Sequence, residues 1–189
     1  MENIYCRELD LVFTHSKVVL NRLIAKCKDR TTNFQMGHTM RDVDPKLSAF
    51  LQQFNVRVDH YESFYTHPGS RISVHIDDEQ FDNSCKINYV FGGAGSTMSW
   101  WEALDSSRIT HKTTPIGTKY LYIEPEYSRK VYETTITSKP VLVNVGKFHK
   151  VDNPGSEPRY CLSHILWDID KNQKLQWEDA VVKFKDFLV

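Results

Sequence analysis

The stretch from residue 56 to residue 168 has the texture of many short β-strands, and this constrains the fold more than any other feature of the sequence. Runs rich in β-branched and aromatic residues are separated by turn signals such as His67-Pro68-Gly69, Gly92-Gly93-Ala94-Gly95 and Asn153-Pro154-Gly155. The predicted strands cover about residues 56–66, 70–77, 85–91, 97–103, 119–123, 130–137, 140–145 and 159–168. About eight short strands with few helices between them predict a sandwich, a barrel or a jelly roll.

Helical spacing is found only near the two ends of the chain. Apolar residues three and four apart from Val18 to Cys27 predict a first helix, and Asp44-Pro45 supplies the cap and first-turn proline of a second. The apolar spacing from Trp177 to Leu188 predicts a C-terminal helix. Residues 29–43 are polar and predict a loop.

These elements predict one domain over residues 1–189, of mainly β structure with flanking helices (α+β). Within that domain we expect a helical buttress at 1–55, a β core at 56–168 and a C-terminal helix at 169–189. A chain of this length is long enough to bury a hydrophobic core of its own.

Composition argues against several classes of protein. Lys plus Arg and Asp plus Glu each number 24, so the net charge of zero does not favour a nucleic-acid partner bound by bulk charge. No apolar run reaches the roughly 20 residues of a membrane helix, and the N-terminus lacks the features of a signal peptide. The cysteines stand far apart, so we expect free thiols and a cytoplasmic location for a chain carrying Cys6, Cys27, Cys85 and Cys161.

The segment Arg71–Asp78 carries the first candidate site. Alternate side chains of a strand share a face, so we expect His75 and Asp77 to point the same way, with Arg71 on that face as well. An imidazole and a carboxylate placed in this way can bind one metal ion together. An isolated H-x-D motif is frequent by chance, so the assignment depends on partners further along the chain.

Those partners follow in order. His149 ends a β-rich run 72 residues beyond Asp77, and Arg159 begins the last predicted strand 10 residues later. Two histidines and one carboxylate form the facial triad of non-haem Fe(II), which leaves three octahedral positions open. A 2-oxo acid can take two of these positions and dioxygen (O2) the third. The remote carboxylate of 2-oxoglutarate then needs a fixed cation, and Arg159 supplies a two-pronged donor.

This order of residues resembles the Fe(II)/2-oxoglutarate-dependent oxygenase superfamily over roughly residues 56–168. The prolyl-hydroxylase-like members are nearest, because Tyr65–Gly69 is similar to their tyrosine-then-glycine lead-in. Ile87–Gly93 followed by Thr97 resembles their strand and turn of tyrosine, leucine, asparagine, paired glycines and threonine, with the order of Asn and Tyr reversed. The resemblance implies a double-stranded β-helix, which is a jelly-roll barrel with N-terminal helices packed outside.

The resemblance also implies roles for individual residues. Fe(II) would be held by His75, Asp77 and His149, and 2-oxoglutarate by Arg159, with Lys86 as the alternative cation. Other residues expected near the co-substrate are Tyr65, Asn88 and Ser163, and candidate substrate contacts are Arg71 and Trp101. A rim salt bridge is an equal alternative for Arg71, and a satisfied core hydroxyl for Ser163. We expect His164 to be packed structure, because it lies on the opposite face of its strand from Arg159.

The sequence therefore predicts an Fe(II)- and 2-oxoglutarate-dependent dioxygenase that hydroxylates a small molecule or a peptide side chain and releases succinate and CO2. Two alternatives remain open. A cupin-like metalloenzyme would work without 2-oxoglutarate, although cupins cluster their histidines in an H-x-H pattern that this chain lacks. A non-enzymatic jelly-roll binding module would leave the H-x-D, His and Arg order to chance.

Overall fold

Two antiparallel β-sheets dominate the computed structural model, which describes residues 3–11, 17–77, 82–114, 117–135 and 139–189. Strands are numbered in chain order. The first sheet contains β1 (Cys6–Glu8), β2 (Phe34–His38), β3 (Val56–Thr66), β6 (Cys85–Gly92), β11 (Val141–Asn144), β13 (Arg159–Asp168) and β14 (Gln173–Lys174). The second contains β4 (Ser70–Arg71), β5 (His75–Ile76), β7 (Thr97–Ala103), β8 (Thr110–Thr113), β9 (Lys119–Tyr122), β10 (Ser128–Thr135) and β12 (His149–Asn153).

The order of strands interleaves distant parts of the chain. The first sheet runs β1-β11-β6-β13-β3-β2, with β14 attached to β13. The second runs β10-β7-β12-β5-β9-β8, with β4 attached to β12. As a result β13 lies between β3 and β6 at the centre of the first sheet, and β12 lies between β7 and β5 in the second.

Three α-helices pack near the ends of the chain: α1 (Lys17–Cys27), α2 (Pro45–Gln52) and α3 (Trp177–Lys183). The sequence prediction for α2 is confirmed in detail, because the Asp44 side chain accepts a hydrogen bond from the Lys46 amide at 2.8 Å and Pro45 begins the helix. Four short 3₁₀ turns complete the regular structure of the described residues, at 40–42, 106–108, 125–127 and 185–187. None of the described helices is long and apolar enough to cross a membrane.

Apolar residues form three buried clusters. The largest lies between the helices and one face of the first sheet, and it contains Leu23, Phe50 and Phe184 beside strand residues such as Leu162. The second fills the space between the two sheets, where Cys161 and Val90 of the first sheet meet Trp100 and Val151 of the second. The third covers the opposite face of the second sheet and includes Val74, Ile76 and Phe148. Each strand of the second sheet therefore has an inner face toward the first sheet and an outer face.

The structure differs from the sequence predictions at several places. The first 55 residues are not purely helical, because β1 and β2 both join the first sheet, and β2 lies inside the predicted loop 29–43. The strand predicted at 70–77 is broken into β4 and β5, with an irregular segment between them. The strands β8 and β12 were also not predicted, and residues 136–137 of the predicted strand 130–137 lie outside the described residues.

Candidate metal centre

Strand pairing brings together the two histidines singled out in the sequence. His75 on β5 and His149 on β12 are direct partners in register, so their side chains share one face of the second sheet. Their ring centroids are 4.4 Å apart. Trp100 on β7 is the partner of His149 on its other side and lies in the cluster between the sheets, so this face is the inner one.

Asp77 follows β5 and completes a compact group. Its Oδ1 lies 3.1 Å from Nε2 of His75 and 3.5 Å from Nε2 of His149. The three potential ligand atoms all lie within 4.8 Å of one another. His149 is buried, while His75 and Asp77 are partly exposed, so the group has one open side. Two imidazoles and one carboxylate are the donor set that suits non-haem iron.

Backbone carbonyl groups fix both imidazole rings in the form that can bind a metal. Nδ1 of His75 lies 2.7 Å from the Ser73 oxygen, and Nδ1 of His149 lies 2.9 Å from the Lys147 oxygen. A carbonyl only accepts, so each Nδ1 carries the hydrogen and donates it. Each Nε2 therefore faces Oδ1 of Asp77, and it is the nitrogen that a metal ion would bind in place of a hydrogen.

The charges of the group suit a metal as well. Burial alone would raise the pKa of Asp77, but Lys86 and His149 hold it well below its usual value, so the carboxylate is ionised. Burial lowers the pKa of His149, and the nearby His75 lowers it further against the opposing effect of Asp77. The metal-binding forms of these side chains, an anionic carboxylate and a neutral imidazole, are thus the ones the fold favours at neutral pH.

Lys86 on β6 makes the closest ion pair with this group. Its Nζ lies 2.7 Å from Oδ2 of Asp77 and 3.5 Å from Oε2 of Glu62 on β3. Lys86 is only 5% exposed, and burial would lower its pKa, but the two carboxylates raise it above the usual value. Lys86, the alternative cation predicted for a 2-oxo acid, thus lies against the Asp77 carboxylate.

Arg159 at the start of β13 is a buried cation with no acidic partner among the described residues. It is 3% exposed, and its guanidinium contacts the Cys161 thiol but no carboxylate of the described residues within ion-pair distance. Burial lowers the pKa of the guanidinium. Thr66 lies directly across from Arg159 on β3, and its buried hydroxyl has no hydrogen-bond partner in the described parts of the chain. An unpaired buried charge beside an unpaired hydroxyl costs free energy unless an anion binds there.

The glycine pair after β6 makes room for Arg159. Gly92 and Gly93 both have positive φ, at 66° and 62°, which side chains rarely adopt. A Cβ on Gly93 would lie 2.6 Å from Cβ of Arg159, and one on Gly92 would collide with the Pro158 carbonyl. The paired glycines noted in the sequence therefore let this turn pass close to the arginine.

Asn88 and Ser163 lie on the same face as Arg159, further along their strands. They are direct partners, and the Ser163 hydroxyl donates to Oδ1 of Asn88 at 2.7 Å. Both are buried. Both residues therefore lie on the inner face of the first sheet, which also carries Arg159 and Lys86, and their side chains are hydrogen-bonded to each other.

Tyr65 does not belong to this group, which corrects the sequence prediction. Thr66 faces Arg159, so the neighbouring Tyr65 points to the opposite face of the first sheet. Tyr65 packs in the helix-side cluster, and its hydroxyl donates to the Arg30 carbonyl at 3.1 Å. Thr66, the next residue of the same motif, is the one that faces Arg159.

The two candidate substrate residues also lie elsewhere. Arg71 is exposed and pairs in register with Asp152, on the outer face of the second sheet. Strand alternation predicted Arg71 on the same face as His75, but the break between β4 and β5 interrupts that alternation. Trp101 follows the inward-facing Trp100 and therefore points outward, where it packs in the third cluster. His164 is packed as expected: it is buried and stacks on Tyr61 with ring centroids 4.3 Å apart.

The cysteines are free and buried, which agrees with the expectation of unpaired thiols. One of them, Cys161, lies on the inner face next to Arg159. Burial raises the pKa of its thiol, and the positive charges of Arg159 and Lys86 partly oppose that rise. The thiol is therefore the neutral form in this part of the structure.

Comparison with known proteins found no matching family model and no matching curated protein. Among solved structures, the chain is similar to a 2OG-Fe(II) oxygenase family oxidoreductase from Burkholderia pseudomallei, with TM-score 0.39 and 11% identity over 65% of this chain and 52% of that one. It is similar to the viral collagen prolyl hydroxylase of Paramecium Bursaria Chlorella virus-1 in its 2OG complex, with TM-score 0.40 and 13% identity over 86% and 94%. It is also similar to an oxalate oxidase bound to glycolate, with TM-score 0.36 and 17% identity over 72% and 52%. The chain thus spans about half the length of the first and third of these proteins.

Proposed function

We propose that this protein is an Fe(II)- and 2-oxoglutarate-dependent dioxygenase, built as one domain on a double-stranded β-helix. The observation that carries the proposal is the presence of two features that both face the space between the two sheets, one on each sheet. The first is the group of His75, Asp77 and His149 with its ligand atoms directed at one another. The second is Arg159, a buried guanidinium with no acidic partner among the described residues.

In this proposal each side chain has a defined task. Nε2 of both histidines and Oδ1 of Asp77 bind the iron, and the backbone carbonyls behind the rings hold them in position. The Arg159 guanidinium and the Thr66 hydroxyl bind the remote carboxylate of 2-oxoglutarate, which satisfies both groups at once.

Asn88 and Ser163 complete the polar wall beside the co-substrate. Bound iron supplies the oxygen-dependent chemistry that hydroxylates an unactivated carbon while 2-oxoglutarate is converted to succinate and CO2. The protein's own contribution is to bind, to orient and to exclude water, so no dedicated general base is required.

The proposed substrate is a small molecule or a peptide side chain. The proposed location is the cytoplasm, where the four free thiols would remain reduced. A single domain is supported by the helix-side cluster, which contains residues from the start, middle and end of the chain: Leu9, Leu162 and Phe184.

The test is an anaerobic titration of the metal-free protein with Fe(II) and then 2-oxoglutarate, which follows the visible charge-transfer band of the ternary complex. We expect the band only when both are present, with succinate formed on admission of air once a substrate is found. Asp77→Ala should abolish both.

Asp152→Ala is the matched control. Asp152 has the same side-chain exposure as Asp77, 22%, and also pairs with a lysine, but it lies on the outer face. Iron binding without a band would favour a cupin-like metalloenzyme, and no iron binding would favour a binding module. Either result, or a band that survives in Asp77→Ala, would overturn the proposal.

A further inference from the structure

The two oxygens of the Asp77 carboxylate have different surroundings. Oδ1 faces Nε2 of His75 and of His149, at 3.1 and 3.5 Å. Oδ2 points away from the histidines to the Lys86 ammonium, 2.7 Å distant. One oxygen is therefore available to a metal ion, and the other is engaged in a short charge-assisted hydrogen bond.

Neighbouring side chains hold the Lys86 ammonium in its contact with Oδ2 of Asp77. The Lys86 side chain is 6% exposed, and Glu62 lies on its other side with Oε2 at 3.5 Å. Glu62 is fixed in turn by Gln35 on β2, whose amide donates to Oε1 at 3.1 Å. A buried ammonium that left these carboxylates would lose its charge compensation, so it does not swing freely. The contact also joins the two sheets, since Lys86 belongs to the first and Asp77 extends from the second.

We propose that Lys86 is a positioning residue that restricts Asp77 to binding metal through Oδ1 alone, and so keeps one coordination position open for 2-oxoglutarate. The inference rests on the proposed function. A carboxylate can bind a metal through one oxygen or both. With both, it would occupy a position that the facial triad leaves open. Removal of the ammonium frees Oδ2 and also removes a positive charge next to the ion.

The first experiment uses Mn(II) as the probe, because water-proton relaxation counts the exchangeable waters on it. We expect Lys86→Met to bind Mn(II) at least as tightly as the wild type, with one inner-sphere water fewer. The affinity of the Mn(II)-loaded variant for 2-oxoglutarate should fall by about tenfold. A purely structural role for Lys86 would not change the number of waters on a metal that still binds.

Two further variants guard the interpretation. Lys150→Met removes a lysine that also bonds an aspartate, at 3.0 Å, but on the outer face, and it should leave the water count unchanged. The double variant Lys86→Met with Glu62→Gln removes both buried charges, so it is expected to fold even where the single variant does not.

The possible outcomes are distinct. An unchanged water count in folded Lys86→Met or in the double variant would overturn the inference, and so would loss of Mn(II) binding in both folded variants. A lower count without any 2-oxoglutarate charge-transfer band in the wild type would support the restriction on Asp77 and overturn the proposed function. Failure of the wild type to bind Mn(II) would overturn both.

Discussion

Replacing Arg159 with Met should make the ligand-free protein more stable and the ligand-bound protein less stable. The guanidinium is 3% exposed and has no acidic partner among the described residues, so its desolvation is not compensated. Burying an ion costs several kcal/mol, and Met keeps most of the apolar stem. After allowance for the lost contact with Cys161, we expect the free energy of unfolding to rise by about 2 kcal/mol. For a chain of 189 residues this corresponds to roughly 4–8 °C in Tm.

2-Oxoglutarate should reverse that order. A ligand at 100 times its Kd stabilises the folded state by about 2.7 kcal/mol. The wild type should gain this amount when loaded with Mn(II) and 2-oxoglutarate, whereas Arg159→Met should gain little. The assay is urea unfolding of both proteins with Mn(II), in the presence and absence of 2-oxoglutarate.

The control is Arg129→Met, which removes an arginine that is 66% exposed and pairs with Glu102 at the surface. Its free energy of unfolding should change by less than about 0.5 kcal/mol, and its response to 2-oxoglutarate should match the wild type. The reasoning would be refuted if ligand-free Arg159→Met were less stable than the wild type. It would equally be refuted if 2-oxoglutarate stabilised both proteins to the same extent.

Two other predictions concern the two faces of the first sheet. Thr66→Val should weaken 2-oxoglutarate binding by about tenfold, since it removes one hydrogen bond to a charged group. Tyr65→Phe should leave that affinity unchanged. Calorimetry on the Mn(II)-loaded proteins measures both affinities, and a larger loss for Tyr65→Phe would contradict the faces assigned to these residues. Burial lowers the pKa of His164 to about 4, so the folded state holds it neutral while the unfolded state gains a proton below about pH 6.5. Stability from this group is complete above pH 6.5 and is lost as the pH falls toward 4, by about 3 kcal/mol in total. Urea unfolding from pH 7 to pH 4.5 should show a smaller loss for His164→Gln than for the wild type, with the exposed His60→Gln behaving like the wild type.

Local sequence predicted most of the strands and the helix starts well. The strands at 56–66, 97–103 and 159–168 have the bounds that the pattern gave, because each is long and bordered by clear turn residues. The strand Phe34–His38 was missed because it is short and lies within the polar stretch 29–43. Only Phe34 and Met36 alternate there, and pairing with β3 places them against the helix-side cluster.

The contrast between local sequence signals and tertiary pairing also explains which site residues could be placed from sequence alone. The grouping of His75, Asp77 and His149 could be predicted, because two imidazoles and a carboxylate in this order suit one metal ion. The roles given to these residues and to Arg159 stay predictions. Alternation failed at Arg71 because the strand is interrupted before His75. The prediction for Tyr65 came from the family resemblance and was wrong, because the pairing of β3 with β13 turns Thr66, not Tyr65, toward Arg159. The contacts of Lys86 join strands far apart in sequence, and only the folded arrangement shows which carboxylates it meets.

The direct pairing of His149 with His75 has a consequence for how this protein is made. A shift of β12 by one residue against β5 would turn His149 outward and bring Phe148 or Lys150 to the inner face, and neither can replace it as a ligand. Only correctly aligned chains could hold a metal ion with all three ligands. The binding free energy of the metal would then favour one alignment over the other during maturation. A metal ion supplied during synthesis would then favour the correctly assembled molecules.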